Sequence, residues 1–411
     1  MSTLSKACHG LLLSAGLAAV SAAGPVHADE ATTVNEANDP HAWLEDVAGQ
    51  RQLTWVKQRN ATTETELATT PEFKRLEAEI LAILDSDAKI PAVEKIGEHY
   101  YNFWKDAQHQ RGLWRRTTLA EYRKDKPAWE TVIDLDALNQ AEGENWVWHG
   151  ADCLKPEYER CLVALSRGGA DADVTREFDL TSKQWVKDGF FRAESKGGLA
   201  WIDRDSVYVY TDFGAGSMTK SGYPRIVKQL KRGAPMAEAA VVYEGMADDM
   251  YIGAFRDHTS GYERDYVSRT IAFYNDELLL RGADGKLTRI DAPNSANKSV
   301  HKDWLVLELR EAYEAGGKQY PAGSLIAAKF DDFMGGKREF TTLFAPSERT
   351  SLSSYSWTKN HLVLNVLEDV KNKLSVLTPT AGEWEHSAFV GAPTFGTLGV
   401  SAVDDDHSDA V

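Results

Sequence analysis

The sequence is poor in the residue patterns that bind metal ions. It has three cysteines and 11 histidines in 411 residues, and no histidine pair has the spacing of a zinc hydrolase. The acidic runs at 248–249, 331–332 and 404–406 lack the alternating oxygen ligands, central glycine and terminal glutamate of a calcium loop. We interpret these runs as solvated turns and expect no bound metal and no cofactor.

Positive charge is also scarce. Lysine and arginine total 46 against 62 aspartates and glutamates, which gives a formal net charge of −16. Such a surface repels nucleic-acid phosphates, so a nucleic-acid partner is excluded. The excess of negative charge is spread along the chain. An ordinary solvated surface with no bearing on binding partners explains it equally well.

Long apolar runs are missing after the first residues. Lys6 precedes an apolar run at 11–23, which is followed by Val26-His27-Ala28. A basic start, a short apolar core and small residues before the cleavage point are typical of a secretory signal peptide. The run is too short to span a bilayer comfortably. We therefore predict a signal peptide at 1–28, cleaved after Ala28, a periplasmic or secreted protein and no membrane partner.

The alternative for these residues is a buried N-terminal helix. It would have to explain the Gly/Ala/Ser-rich end of the run and the polar segment 29–38. Neither feature is typical of a core helix. The signal peptide is the better interpretation.

Two cysteines are left once the predicted signal peptide is removed. Cys153 and Cys161 flank a polar loop that contains Pro156, between two strand-like runs. Facing residues of a hairpin come within disulfide range, and an exported compartment permits oxidation. A bridge and two free thiols are both compatible with this pattern.

Helical patterns occupy the next part of the chain. Leu53, Val56 and Leu67 lie at rough helical spacing. A second pattern follows Pro71 and places its apolar residues on one face: Phe73, Leu76, Ile80, Ile83 and Leu84. Because Ile90-Pro91 breaks the pattern, we predict a polar linker and helical arm over residues 29–92.

From about residue 95 the pattern changes to short strands separated by polar turns. Similar units can be read at 97–139, 142–187, 196–245, 249–294, 298–347 and 351–391. A repeat of about 45 residues that carries three or four strands is typical of a propeller blade. A two-sheet sandwich would not explain so many strands in one array. We predict a mainly β protein with a β-propeller over 93–411.

A seventh unit opens at residue 396 and is incomplete. Residues 401–411 would supply one strand and the approach to the next. A propeller with an open wedge exposes strand edges, which natural proteins avoid. The pattern therefore indicates a seven-bladed propeller whose last blade is truncated.

Several segments resemble the prolyl oligopeptidase family. These segments are Asp-Pro-His-Ala-Trp-Leu-Glu-Asp at 39–46, Trp-Val-Lys-Gln-Arg-Asn at 55–60, and the first-blade and second-blade motifs at 101–104, 110–113, 166–171 and 176–179. The resemblance covers 39–411. It implies a seven-bladed propeller over an α/β-hydrolase domain, which cleaves short peptides after proline without a cofactor. It also implies that the helical arm packs against the hydrolase domain rather than the propeller.

The catalytic motif of that family is missing from this chain. An α/β-hydrolase nucleophile lies in Gly-x-Ser-x-Gly, where the glycines permit the strained turn. No serine here has glycine at both −2 and +2, and Gly216-Ser217 and Gly323-Ser324 are turn dipeptides. We expect the hydrolase domain to be absent and assign no catalytic residue.

One arginine is a candidate for contact with substrate. Arg256 ends a strand at the start of the fourth unit, and the resemblance implies a substrate-facing arginine at a similar point. An arginine beside an active-site cavity could pair with a peptide carboxylate. The alternative is a surface salt bridge to Asp257 or Asp265.

Two classes of function follow from this sequence. The first is the propeller part of a prolyl-oligopeptidase-type peptidase, inactive by itself, which gates the access of short proline-containing peptides. The second is a free-standing periplasmic propeller that binds a partner without catalysis. A related peptidase with a different preference for the residue before the cleaved bond is a weaker variant of the first.

Overall fold

The computed structural model describes residues 39–46, 48–380, 383–393 and 396–411. The predicted signal peptide at 1–28 lies outside these residues. The described chain divides into two compact units between Lys89 and Ile90. None of the described helices is long and apolar enough to cross a membrane.

The first unit is helical. It contains a 3-10 turn, Ala42–Glu45, helix α1, Gln50–Thr63, a π-helical stretch, Glu64–Ala68, and helix α2, Pro71–Asp85. Helix α2 starts where Thr70 Oγ1 accepts a hydrogen bond from the Phe73 amide at 3.2 Å, with Pro71 in the first turn. Both predicted helices are present.

The apolar face of α2 is exposed to solvent. Leu76, Ile80 and Ile83 are between 43% and 72% exposed. Each side chain of this kind gives up roughly 1.5–3 kcal/mol of stabilisation when it is not buried. Helices of this length are marginal in water without a docking surface.

The second unit consists of antiparallel sheets whose strands follow one another in sequence. The first sheet contains β1 (Glu94–Ile96), β2 (His99–Trp104), β3 (Leu113–Thr117) and β4 (Glu130–Asp134). The second contains β5 (Trp146–Cys153), β6 (Arg160–Arg167), β7 (Asp173–Asp179), β8 (Gln184–Trp185) and β9 (Phe191–Ser195). The third contains β10 (Gly198–Asp203), β11 (Ser206–Tyr210), β12 (Ile226–Lys231) and β13 (Ala240–Glu244).

The remaining sheets have the same order. The fourth contains β14 (Tyr251–Asp257), β15 (Arg264–Ala272), β16 (Asn275–Arg281) and β17 (Leu287–Arg289). The fifth contains β18 (Asn297–His301), β19 (Trp304–Glu308), β22 (Leu325–Lys329) and β23 (Thr341–Phe344), with a separate hairpin of β20 (Tyr313–Ala315) and β21 (Lys318–Tyr320). The sixth contains β24 (Thr350–Trp357), β25 (Leu362–Glu368), β26 (Lys371–Pro379) and β27 (Trp384–Ala388). Short helices connect some strands: α3 (Leu119–Tyr122), α4 (Leu135–Glu142), a 3-10 turn (Met236–Glu238) and α5 (Phe330–Met334).

The core lies between neighbouring sheets. Five buried apolar clusters each combine residues from two consecutive sheets. Between the first two sheets, for example, Tyr101 and Trp114 are each 2% exposed and pack with Trp146 and Val163. Sheets stacked in sequence order, each burying a face against the next, form a β-propeller. The predicted mainly β fold with a helical arm is confirmed.

The predicted seventh unit differs from the other six. Residues 396–411 contain no β-strand in the part that the structure describes, although we expected one. The backbone of Leu398 and Ala402 bonds instead to side chains of the sixth sheet, namely Asn365, Asn372 and Ser356. Because side chains satisfy these backbone groups, no strand ladder forms there.

The turns of the propeller lie on two opposite faces. The turns between the first and second strands and between the third and fourth strands of each sheet share one face, which we call face A. The turns between the second and third strands share the other, face B, with the connections between sheets. This division follows from the antiparallel order of four-stranded sheets.

The exposed face of α2 generates the first prediction. We expect limited proteolysis of the chain to cut within residues 48–89 well before it cuts within β2–β26, because the helical unit lacks buried apolar side chains among its described residues. Mass spectrometry of the early fragments identifies the cut sites. Early cuts spread equally over both units would contradict this expectation.

Candidate functional site

The loops of face A meet around one acidic turn, residues 404–409. Asp404 Oδ1 accepts hydrogen bonds from the amides of Asp406 at 3.1 Å and His407 at 3.0 Å. The turn is closed by a bond from the Ser408 amide to the Asp404 carbonyl at 3.1 Å. An aspartate that bonds to the backbone two and three residues ahead stabilises a turn of this kind.

Two carboxylates of the acidic turn pair with lysines of other sheets. Asp404 accepts from Lys95 Nζ, on β1, at 2.7 Å. Asp406 forms an ion pair with Lys155, in the loop between β5 and β6, and accepts from Thr259 Oγ1 at 3.0 Å. Thr259 follows β14. The turn therefore joins the first, second and fourth sheets on face A, and Asp406 lies between the second and the fourth.

Both carboxylates are largely shielded from solvent, with 9% of each side chain exposed. Burial by itself would raise the pKa of Asp406, but the charge of Lys155 and the hydrogen bonds from Lys155 and Thr259 lower it below its ordinary value. Burial and the bond from Lys95 oppose each other in the same way at Asp404, whose pKa is also lowered. At neutral pH these groups are paired charges.

The pKa of Lys155 is raised, as expected for the partner of a carboxylate whose pKa is lowered. Burial would lower it, but the attraction of Asp406 raises it above its ordinary value. A buried charge keeps its ionised form in this way only while its partner stays in place.

The acidic turn contacts the sixth sheet through different groups. Asp409 accepts from Thr358 Oγ1 at 2.8 Å and from the backbone amide and side chain of Asn360 at 2.8 and 2.7 Å. The Lys359 amide donates to the Ser408 carbonyl at 3.0 Å. His361 Nε2 lies 4.0 Å from Asp409. The strong donors to Asp409 are uncharged amides and a hydroxyl.

The structure corrects the interpretation of residues 404–406 as a solvated turn. The side chains of Asp404 and Asp406 are only 9% exposed, and lysines distant in sequence compensate their charge. Sequence reasoning identified neither Lys95 nor Lys155 nor Thr259. The one available signal was the position of Lys155 inside the loop that the two cysteines bound.

Arg256 lies at the end of β14, close to face A. Its Nη1 donates to Asp265 Oδ2 at 2.6 Å, and the other oxygen of Asp265 accepts from the Tyr208 hydroxyl at 2.8 Å. The structure thus places Arg256 in the salt bridge that the sequence offered as the alternative to a substrate contact. A role toward substrate stays a prediction from the resemblance.

The other residues considered from the sequence lie apart from the acidic turn. Ser217 is buried, and its Oγ donates to the Gly214 carbonyl at 2.6 Å, as a turn residue does. Within the described ranges, no group of three or more His, Cys, Asp or Glu side chains is arranged to hold a metal ion.

Face B has a different surface. Its turns and connections expose five large apolar side chains: Met246, Phe273, Tyr274, Val370 and Val390. Among the described turns of face A, the exposed large apolar residue is Leu119. The five side chains of face B lie in turns and connections of the third, fourth and sixth sheets.

The loop that carries Lys155 is bounded by the two cysteines. Cys153 and Cys161 are direct partners at the end of the β5–β6 hairpin, and the structure joins their sulfur atoms in a disulfide. A bridge at this point limits the movement of the loop relative to the hairpin.

The second prediction concerns this bridge. When the whole chain is alkylated without reductant, we expect intact-mass analysis to show one modified thiol, Cys8, because Cys153 and Cys161 face each other in the hairpin. Replacing both bridged cysteines by serine should lower the free energy of unfolding by about 2 kcal/mol. Alkylation of three thiols in oxidised protein would show that no bridge forms.

Comparisons with known proteins agree with this architecture. The family model "Prolyl oligopeptidase, N-terminal beta-propeller domain" matches residues 25–410. An uncharacterized peptidase of Sinorhizobium fredii is 34% identical over 90% of this chain and 52% of its own length. An uncharacterized peptidase of Rickettsia prowazekii is 30% identical over 85% of this chain and 51% of its own length.

A solved structure is similar in the same region. The structure of a post-proline cleaving enzyme from Rickettsia typhi has a TM-score of 0.79 and 29% sequence identity, and covers 85% of this chain and 53% of that chain. This chain thus spans about half the length of the relatives it matches. Since the family model covers nearly the whole chain and the six sheets form its propeller, the chain belongs to the prolyl oligopeptidase family, of which it contains the N-terminal β-propeller domain.

Proposed function

We propose that this chain is the propeller part of a serine endopeptidase that cleaves short peptides after proline, and that the propeller limits access to the catalytic site. The similarity to the Rickettsia typhi enzyme, which its title describes as post-proline cleaving, carries the proposal. It extends over most of this chain and only half of that one. The catalytic groups then belong to a domain outside the propeller.

The geometry of face A supports a role in access. Asp406 bonds to both Lys155 and Thr259, so a single side chain links loops of the second and fourth sheets. We infer that loops held together in this way admit a short extended peptide and exclude a folded protein. Selection by access excludes unwanted substrates without a specific contact to each of them.

The exposed apolar side chains of face B support the proposal that another domain covers this face. Met246, Phe273, Tyr274, Val370 and Val390 are exposed there, and apolar residues left in water forgo their burial energy. In the proposed enzyme the catalytic domain covers this face, and the resemblance implies that the same domain covers the apolar face of α2.

The third prediction tests catalysis by the chain alone. Acyl transfer needs a nucleophile, a positioned base and an oxyanion hole, and this sequence has no Gly-x-Ser-x-Gly. We expect purified chain to leave a Gly-Pro reporter peptide unhydrolysed. Hydrolysis that a serine-directed phosphonate abolishes would contradict the assignment of the catalytic groups to another domain.

The fourth prediction tests gating. A chimera that carries this propeller in place of that of the Rickettsia typhi enzyme should cleave a short proline-containing peptide but not the same sequence in a loop of a folded protein. The catalytic domain without a propeller is the control and should lose this discrimination. A chimera that cleaves both substrates equally would refute gating. An inactive chimera, together with peptide binding by this chain alone, would favour the free-standing binding protein.

We also propose that the protein is exported to the periplasm or secreted. The apolar run at 11–23 after Lys6 and the small residues that end at Ala28 support this location. The fifth prediction is that protein recovered from the periplasm or medium begins at Asp29, as N-terminal sequencing would show. Cytoplasmic protein that keeps Met1 would contradict it.

A further inference from the structure

A buried ammonium group lies on face B, beneath the connection between the fourth and fifth sheets. Lys298 is the second residue of β18, and only 2% of its side chain is exposed. Its Nζ donates to the carbonyls of Asp276 at 3.0 Å, Ala296 at 2.9 Å and Asn294 at 3.3 Å. It also donates to Asp276 Oδ1 at 2.9 Å. Four oxygens therefore surround the ammonium group, and we call them the oxygen cage.

The oxygen cage is built from two segments of the chain. Asp276 lies at the start of β16 in the fourth sheet, whereas Asn294 and Ala296 belong to the connection that leads to the fifth sheet. The Asp276 amide also donates to the Asn294 carbonyl at 3.1 Å. Carbonyl and carboxylate oxygens that converge on one point are the ligands that proteins use for cations. Their partial negative charges repel one another, so the arrangement needs a positive charge at its centre.

An exposed apolar turn leads directly into the oxygen cage. Phe273 and Tyr274 join β15 to β16 just before Asp276, and they are 80% and 65% exposed. Tyr274 has a φ of 59°, in the left-handed region that is unfavourable for a bulky side chain. The guanidinium carbon of Arg310 lies 4.0 Å from the centre of its ring. Two cations, Lys298 and Arg310, therefore contact this end of the fourth sheet.

We propose that Lys298 supplies the resident cation of the oxygen cage, and that the occupied cage fixes the Phe273–Tyr274 turn to the connection between the fourth and fifth sheets. The ligand class that the cage takes is a small cation with N–H donors, which the side chain of Lys298 delivers as a primary ammonium. The proposal concerns the propeller alone and does not depend on peptide cleavage.

The charge of Lys298, rather than its packing, is what the oxygen cage requires. Burial lowers the pKa of Lys298, and the charge of Asp276 acts in the opposite direction. Without the ammonium group, the Asp276 carboxylate loses its counter-charge and the three carbonyls lose the donor that they share. An apolar side chain of the same length would fill the space and leave these oxygens without that donor.

Hydrogen exchange of the whole chain, read by mass spectrometry, tests the oxygen cage. In Lys298→Ala, we expect amides of 272–276 and 291–297 to exchange about tenfold faster, because the oxygens that join these segments lose their shared donor. Lys298→Met, which fills the space without a charge, should show the same acceleration. Amides of β25, which belong to the sixth sheet, should keep their exchange rate in both variants.

Chemical rescue separates a cation site from an ordinary packing contact. The substitution Lys298→Ala removes the equivalent of n-propylammonium, so this added ion should return exchange in both segments toward the wild-type rate. 1-Propanol has a similar size and no charge, and tetramethylammonium has the charge and no N–H donor, so neither should restore it. Lys318→Ala is the matched control, because Lys318 is an exposed lysine of β21. It should leave exchange in both segments unchanged.

Three results would overturn the oxygen cage. They are an unchanged rate in 272–276 of Lys298→Ala, equal acceleration in β25, or n-propylammonium that restores exchange no better than 1-propanol does. A thermal unfolding curve for each variant shows whether the propeller is folded during the measurement.

A second variant covers the case in which Lys298→Ala does not fold. Asp276→Asn removes the negative charge of the cage and keeps its carbonyls, so it should accelerate exchange in the same two segments severalfold. An unchanged rate in this variant would equally overturn the cage. Because none of these readouts involves peptide cleavage, failure of the cage and failure of the proposed peptidase function are distinguishable.

Discussion

The burial of one sheet against the next is the constraint on which the rest of this structure depends. Each sheet has two faces, and its own strands can cover neither. Trp114 of the first sheet and Trp201 of the third are almost completely buried because neighbouring sheets contact them. Stacking buries both faces of every sheet that has a neighbour on each side.

The ionic contacts of face A join the acidic turn to different sheets, through Lys95 of the first and Lys155 of the second. Apolar packing is non-directional and persists as sheets shift slightly, whereas an ion pair is lost over a few ångströms of movement. The pairs of Lys95 and Lys155 therefore fix the position of the acidic turn more sharply than apolar packing alone could.

The sequence predicted the features that repeat and missed those that join distant residues. Strand runs at a regular period predicted the six sheets, and the spacing of Leu76, Ile80 and Ile83 predicted the exposed face of α2, since both patterns are local. Lys155 and Asp406 are separated by 251 residues. Apart from the two cysteines that bound the loop of Lys155, nothing local distinguishes either residue from a solvated charge. The same limit applies to Arg256. The sequence offered Asp257 and Asp265 as its salt-bridge partners and did not distinguish between them.

The two faces of the propeller therefore differ in the chemistry of their side chains. On face A, the carboxylates of Asp404 and Asp406 are paired with lysines of the same chain. Face B exposes Phe273, Tyr274 and Val370, which only another surface can bury. The chain spans about half the length of its relatives. In the proposed enzyme, a domain that covers face B would bury these apolar side chains and leave the ion pairs of face A at the opposite end of the propeller.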